Sequence, residues 1–227
     1  MIVTVGGIKG GVGKSLVATN LVVMRSQLKN KKILFVDGDE QGTSVDWVGH
    51  RNGLGIAVKW HTKRFIGSEL RNNVLELKTS YNDVIIDCGG RDTESLRAAL
   101  TISDKLLVPF QPKSFDIWTM NQVSHLVEEA KKVNPNLKAF SFINCGWHKG
   151  QDNKDALQIL KQFASIQVLP VIIGLRKAFS NATAEGLGIV ELKPSDKKAC
   201  TEIEALYRHI YDLSLIHISE PTRLGMI

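Results

Sequence analysis

The sequence predicts a doubly wound α/β layer, a mostly parallel sheet with helices on both faces. Three observations carry that expectation. Short β-branched runs alternate with longer amphipathic stretches, the order that a parallel sheet with crossover helices requires. Several runs are almost continuously apolar, such as VIID at 84–87 and LLVPF at 106–110, as strands covered on both faces must be. The first run also passes through a glycine-rich turn straight into an amphipathic stretch.

Taken in chain order, the first strand is Ile2–Gly7, and the amphipathic Ser15–Leu28 follows as a helix. The strand Lys32–Val36 leads to a helix at Thr43–His50, and the run IAVKW gives a strand at Ile56–Trp60 before a helix at Ser68–Leu77. Asp83–Asp87 and Lys105–Pro109 are the most apolar strands, each followed by a helical stretch, Thr93–Thr101 and Phe115–Val133. Ala139–Asn144, a helix at Asn153–Phe163, a strand at Ile166–Ile172 and a helix at Ser195–Asp212 complete the pattern. No repeat, low-complexity tract or Pro/Gly-rich linker interrupts it, and 227 residues with 43% hydrophobic content bury one core, so residues 1–212 are expected to form one domain. Leu213–Arg223, LSLIHISEPTR, resembles the translation of a sequencing-library adapter, so residues 213–227 are expected to be a non-native tail.

The formal charge of +6 and pI near 9.2 favour anionic partners, although both signs are interspersed. Cys88, Cys145 and Cys200 lie far apart without a C-x-x-C pair, which argues against a disulfide framework or zinc site and for a reducing cytoplasm. The apolar Ile2–Gly7 has no basic segment before it and is too short for a signal core or a membrane span.

Between the first strand and first helix stands I8-K-G-G-V-G-K-S15. Gly10, Gly11 and Gly13 let the backbone curl with its N–H groups inward, and the following helix adds its positive dipole end, so the loop suits phosphate oxygens. Lys14 supplies a point charge there and Ser15 a hydroxyl for Mg²⁺. The expected nucleotide-binding segment is thus Gly10, Gly11, Val12, Gly13, Lys14, Ser15 and Leu16. A strict G-x-x-x-x-G-K-[ST] pattern would want glycine where this chain has Ile8.

K9-G-G-V-G-K14-S15 resembles the deviant Walker A signature of the ParA/MinD family, which drops the first glycine and adds a lysine at the position of Lys9. The resemblance implies ATP as ligand and a homodimer in which Lys9 reaches the phosphates bound by the other subunit. A second cation near the β–γ bridge would stabilise the charge of the leaving diphosphate. VDGDEQ at 36–41 resembles the family's V-D-x-D-P-Q, with Glu40 in place of proline. The resemblance implies that Asp39 orients the attacking water and that Asp37 is metal-associated; capping of the next helix is the alternative for either. Asp87, at the end of DVIID, matches a Walker B carboxylate that holds Mg²⁺ through its water shell, whereas Asp83 is expected to be solvated. Where relatives commonly have a proline-containing turn, this chain continues Cys88-Gly89-Gly90-Arg91-Asp92, expected to be a nucleotide-sensing switch. Cys88 is expected to be a buried packing residue. Asn144 stands where family members often place an asparagine against adenine, a plain turn asparagine being the alternative.

The resemblance extends over most of residues 1–212, including LVPFQPKSFDIWT at 107–119 and GLRKAFSNATAEGLGIVE at 174–191, and is nearest to short plasmid-type partition proteins. It implies an ATP-bound dimer that binds DNA without sequence preference, segregating plasmid or chromosomal DNA, and lets go when a centromere-binding, ParB-like partner stimulates hydrolysis. One residue precedes the first strand, so no helix-turn-helix is expected there. Arg176, Lys177, Lys193, Lys197, Lys198 and Arg208 are the candidate DNA contacts, although residues 149–212 hold nine Lys/Arg against eight Asp/Glu. Residues 51–78, with six Lys/Arg against two acids, form an alternative basic surface, with Trp60 expected in the core. MinD-like membrane positioning is disfavoured by Glu202, Glu204 and Asp212 on the last helix. Positioning of a protein cargo and a metabolic ATP-dependent enzyme are the remaining alternatives.

Overall fold

The computed structural model describes residues 1–90, 93–112, 117–147 and 151–211. Seven strands, β1 (Ile2–Val5), β2 (Ile33–Asp37), β3 (His61–Arg64), β4 (Asp83–Asp87), β5 (Lys105–Phe110), β6 (Lys138–Gly146) and β7 (Gln167–Gly174), form one sheet in the order β3-β2-β4-β1-β5-β6-β7. Every neighbouring pair is parallel. The helices are α1 (Lys14–Ser26), α2 (Thr43–Gly53), α3 (Glu69–Lys78), α4 (Glu94–Leu100), α5 (Ile117–Val133), α6 (Asp152–Leu160), α7 (Lys177–Ala184) and α8 (Lys197–Tyr211), with a 3-10 turn at Ile189–Glu191.

The two-residue period of each strand divides the core in two. Ile85 of β4 faces a cluster with Val17 and Leu21 of α1, Trp47 of α2 and Leu206 of α8. Its neighbours Val84 and Ile86 face the other cluster, with Leu70 of α3, Leu96 of α4 and Val127 of α5. That double burial is why the strands are continuously apolar in sequence.

Three expectations are corrected. The third strand is His61–Arg64, not Ile56–Trp60. It is the terminal strand, largely solvent-facing, and so carries HTKR rather than an apolar run, while Trp60 turns inward to stack on Trp47 at 6.2 Å. Asp83 is buried rather than solvated, because Arg25 of α1 donates to it at 2.8 Å from Nε and to Tyr207 of α8 at 3.2 Å from Nη1. No helix is expected between the seventh strand and Ser195, yet α7 lies there: it is a single short element whose apolar face is Phe179 and Ala182. The Asp212 end of the last predicted helix, and the 213–227 tail, lie outside the described residues.

Candidate nucleotide site

β1, β2 and β4 lie side by side at the centre of the sheet, and their carboxyl ends deliver the loop before α1, Asp37 and Asp87 to one place. That crevice is where open parallel sheets bind ligands. Gly11 and Gly13 adopt φ of 73° and 85°, left-handed values that glycine takes without strain. At Gly13 space as well as torsion is limiting: a Cβ there would stand 2.4 Å from Nδ2 of Asn144.

Lys14 is buried under the loop, where its Nζ donates to the carbonyl of Lys9 at 2.7 Å. Burial lowers its pKa, against the pull of Asp87 and Asp39. The loop, Lys14, Ser15 and Leu16 line a cleft of 620 Å³ that Asp39 and Gly89–Gly90 close from the other side. Val12 and Lys9 line instead a small apolar space against Val108 and Phe110.

Asp87 is almost fully buried, and burial pushes its carboxyl up to about 7, against hydrogen bonds from Ser44 and Ser15. Ser44 Oγ donates to Oδ2 at 2.6 Å, and Oδ1 is buried without a partner among the described residues. An orphaned buried carboxylate oxygen beside a serine hydroxyl is a hard, all-oxygen donor set, which fits Mg²⁺. No group of three acidic, Cys or His side chains forms a cage among the described residues.

Asp37 and Asp39 take different positions. Asp37 is buried with both oxygens engaged: Oδ1 accepts from Asp39 N at 3.0 Å and Oδ2 from Val45 N at 2.9 Å. It therefore fastens the turn and the first turn of α2, the capping alternative, while standing beside Asp87 across the β2–β4 pair. Burial raises its pKa, with the backbone N–H groups opposing. Asp39 opens onto the cleft and accepts from Gln41 N at 3.1 Å.

Asn144, the expected adenine contact, closes the site from beneath the loop. It is buried, and its Nδ2 donates to the Val12 carbonyl at 2.7 Å, so its amide braces the loop from below. Cys88 is wholly buried against β1, its N–H donating to Val5 at 2.9 Å. Gly89 and Gly90 complete the described part of the proposed switch; Arg91 and Asp92 lie outside the described residues.

Three supporting residues escaped the sequence reading. Gln111 reaches from the end of β5 to the Gly11 carbonyl at 2.9 Å, Ser44 holds Asp87, and Arg64 of β3 donates to the Glu40 carbonyl beside Asp39. Only the Ser44 position carried a local signal, in the first turn of the helix after VDGDEQ.

The candidate DNA contacts divide. Lys177, Lys193, Lys197 and Lys198 are exposed, and the last three line a shallow groove between α7 and α8. Arg176 is not available in the same way: its Nε donates to Glu202 at 2.9 Å and its Nη2 to the other carboxylate oxygen, so its charge is spent within the fold. Arg208 lies 3.9 Å from Glu204, with Nε buried.

A strand–loop–helix phosphate cradle facing paired carboxylates on an all-parallel sheet defines a nucleotide-binding α/β protein. The chain belongs to the CobQ/CobB/MinD/ParA nucleotide-binding domain family, which it matches over residues 3–189. It is 26% identical over 212 residues to the maintenance of carboxysome distribution protein A of Halothiobacillus neapolitanus, covering 91% of this chain and 94% of that protein. Its fold matches that of Cyanothece McdA in complex with ATP, with a TM-score of 0.76 at 15% identity, covering 94% of this chain and 96% of the other. A putative plasmid partition protein of Borrelia burgdorferi bound to AMPPNP gives a TM-score of 0.72 at 21% identity, with coverage of 93% and 99%.

Proposed function

We propose that this chain is a Mg²⁺-dependent ATPase that works as a positional switch: ATP closes two copies face to face, the dimer holds DNA without sequence preference, and hydrolysis releases it. The observation that carries this reading is the phosphate loop opening with Lys14 and Ser15 on the same cleft as Asp39 and Gly89–Gly90, in a sequence that adds a second lysine at Lys9. In it, the loop amides and Lys14 hold the phosphates, and Ser15 and Asp87 hold Mg²⁺, which when bound offsets phosphate charge. Asp37 orients the metal shell indirectly, by fixing the turn beside Asp87. Asp39 positions the attacking water from the cleft wall. Lys9 acts on the nucleotide of the partner subunit, and its carbonyl meanwhile orients Lys14.

Lys177, Lys193, Lys197 and Lys198 are the preferred DNA contacts, because all four are exposed and the last three line one groove. The cargo in this reading is plasmid or chromosomal DNA, recruited through a ParB-like stimulating protein. A second reading, a protein assembly as cargo, is favoured by the likeness to the carboxysome distribution protein over 91% of the chain. No helix among the described residues is long and apolar enough to cross a membrane.

Binding to random duplex DNA, with ATP, ADP or no nucleotide over a salt series, tests the proposal. ATP-dependent binding that weakens steeply with salt is expected. Lys14→Ala should abolish ATP binding, while Asp39→Ala should keep ATP and accumulate the dimer. Normal hydrolysis by Asp39→Ala would remove Asp39 from its role, and binding to anionic vesicles in place of DNA would overturn the DNA reading.

A further inference from the structure

β3 ends the sheet, hydrogen-bonded to β2 on one side and to no strand on the other among the described residues. Phe65 N donates inward to Asp37 O at 3.0 Å. By the two-residue alternation of an extended chain, Thr62 and Arg64 direct their N–H and C=O groups to the open edge.

Beside this edge runs a groove of 610 Å³, lined by Val48 and Asn52 of α2, by Val58 and Trp60, and by Thr62 and Lys63. Two polar atoms of its lining residues are buried and unpartnered among the described residues, Nε1 of Trp60 and Oγ1 of Thr62. Trp60 is itself only 7% exposed. Native proteins rarely leave such groups unmade, so the pair marks a place where a partner atom is missing. The surroundings are cationic: residues 51–78 carry six Lys/Arg against two acids, and Lys59 and Lys63 are exposed.

We propose that this edge docks an extended acidic segment of a partner protein, added as a further strand alongside β3. Its backbone would pair with Thr62 and Arg64, the mode in which exposed sheet edges capture peptides. Alternate side chains would enter the groove and cover the apolar walls Val48 and Val58, and a turn of the Trp60 and Thr62 side chains would bring their buried donors to a carbonyl or carboxylate. The remaining side chains would meet Lys59 and Lys63. An edge lysine alone is a common guard against strand pairing, but a guard does not require two unpartnered donors buried in the walls of the neighbouring groove. Duplex DNA would match the charge, yet it offers no ladder of alternating N–H and C=O groups. A second copy of this chain would set one cationic edge against another. The proposal is independent of the ATPase reading, apart from one contact: Arg64, the last residue of the edge, bonds the Glu40 carbonyl next to Asp39.

The test is an amide-resolved NMR titration of the full chain with four probes. These are an eight-residue peptide of alternating glutamate and valine, its lysine–valine counterpart, the acidic peptide with alternate amides N-methylated, and a random DNA duplex. The acidic peptide should shift the amides of Thr62 and Arg64, and both altered peptides should bind at least about tenfold more weakly. Lys63→Glu should weaken the acidic peptide about tenfold, and the near-isosteric Thr62→Val by a smaller factor, with ATP binding unchanged in both. Absence of shifts at these amides, equal binding of the acidic and basic peptides, or the same shifts with DNA would each overturn the proposal.

Discussion

Arg176→Ala separates a structural arginine from a DNA contact. In the folded chain Arg176 stands at the start of α7 and grips Glu202 of α8 with two hydrogen bonds, one of 2.9 Å, with side-chain exposures of 12% and 22%. Glu202 also accepts from Gly174 N at 3.0 Å, so this one carboxylate ties β7, α7 and α8 together. Truncating the arginine deprives a largely enclosed carboxylate of both guanidinium donors. Such a loss costs about 1–2 kcal/mol once partial exposure is allowed for. A domain of this size loses about 2–4 °C of melting temperature per kcal/mol, so the expected drop is about 2–8 °C. Thermal unfolding reads that drop, and a DNA-binding salt series on the same protein should give a slope unchanged from the parent. The double variant Lys197→Ala/Lys198→Ala should do the reverse, keeping the melting temperature and losing about two units of salt slope. If Arg176→Ala kept its melting temperature and lost DNA affinity, the assignment of Arg176 to the fold would be wrong.

Arg51 is held more tightly, by a bidentate pair with Glu191 and by the Ala57 and Gly186 carbonyls beneath the Trp47–Trp60 stack. Arg51→Ala should therefore cost about 3–5 kcal/mol, read by denaturant unfolding, and a loss under 1 kcal/mol would contradict the burial argument. A Cβ at Gly89 would fall 2.8 Å from the Asp39 carboxylate, so Gly89→Ala should slow ATP turnover while leaving ATP affinity within about threefold. Ser44→Ala removes the 2.6 Å bond to Asp87 and should raise the Mg²⁺ concentration needed for half-maximal turnover; an unchanged requirement would detach Ser44 from the metal. Chelating divalent cations should stop turnover, and turnover that persists in excess chelator would exclude the Ser15–Asp87 metal site.

The features legible in the sequence are those whose geometry is local. The loop could be read because Gly11 and Gly13 are needed for its own curl, and because Lys14 and Ser15 follow within two residues. Asp87 could be read because a carboxylate ending a fully apolar strand has little reason to be there except a ligand. What stayed hidden depends on partners far along the chain. Asn144 meets Val12 across 132 residues, and Arg176 meets Glu202 across 26, so nothing in either neighbourhood distinguishes a brace from a contact. The displaced third strand has the same origin. An edge strand is stabilised by one ladder and faces water, so its sequence is polar, while the apolar IAVKW before it was the stronger signal and belongs to a loop.

The turn after Asp87 shows why glycine stands there rather than a stiffer residue. A Cβ at Gly90 would fall 2.7 Å from the Gly10 Cα and 2.9 Å from Lys14 Nζ, and one at Gly89 would press on Asp39. The backbone therefore passes within contact distance of the phosphate loop, the phosphate lysine and the proposed water-positioning carboxylate in two successive residues. In the proposed switch, a change at the γ-phosphate position would reach this turn through one of these neighbours. Asp87 anchors the near end of the turn through Gly38 N to its carbonyl at 2.8 Å and through Ser44 to its carboxylate. In the proposed switch, movement is therefore expected at Gly89 and Gly90 rather than at the anchored Asp87.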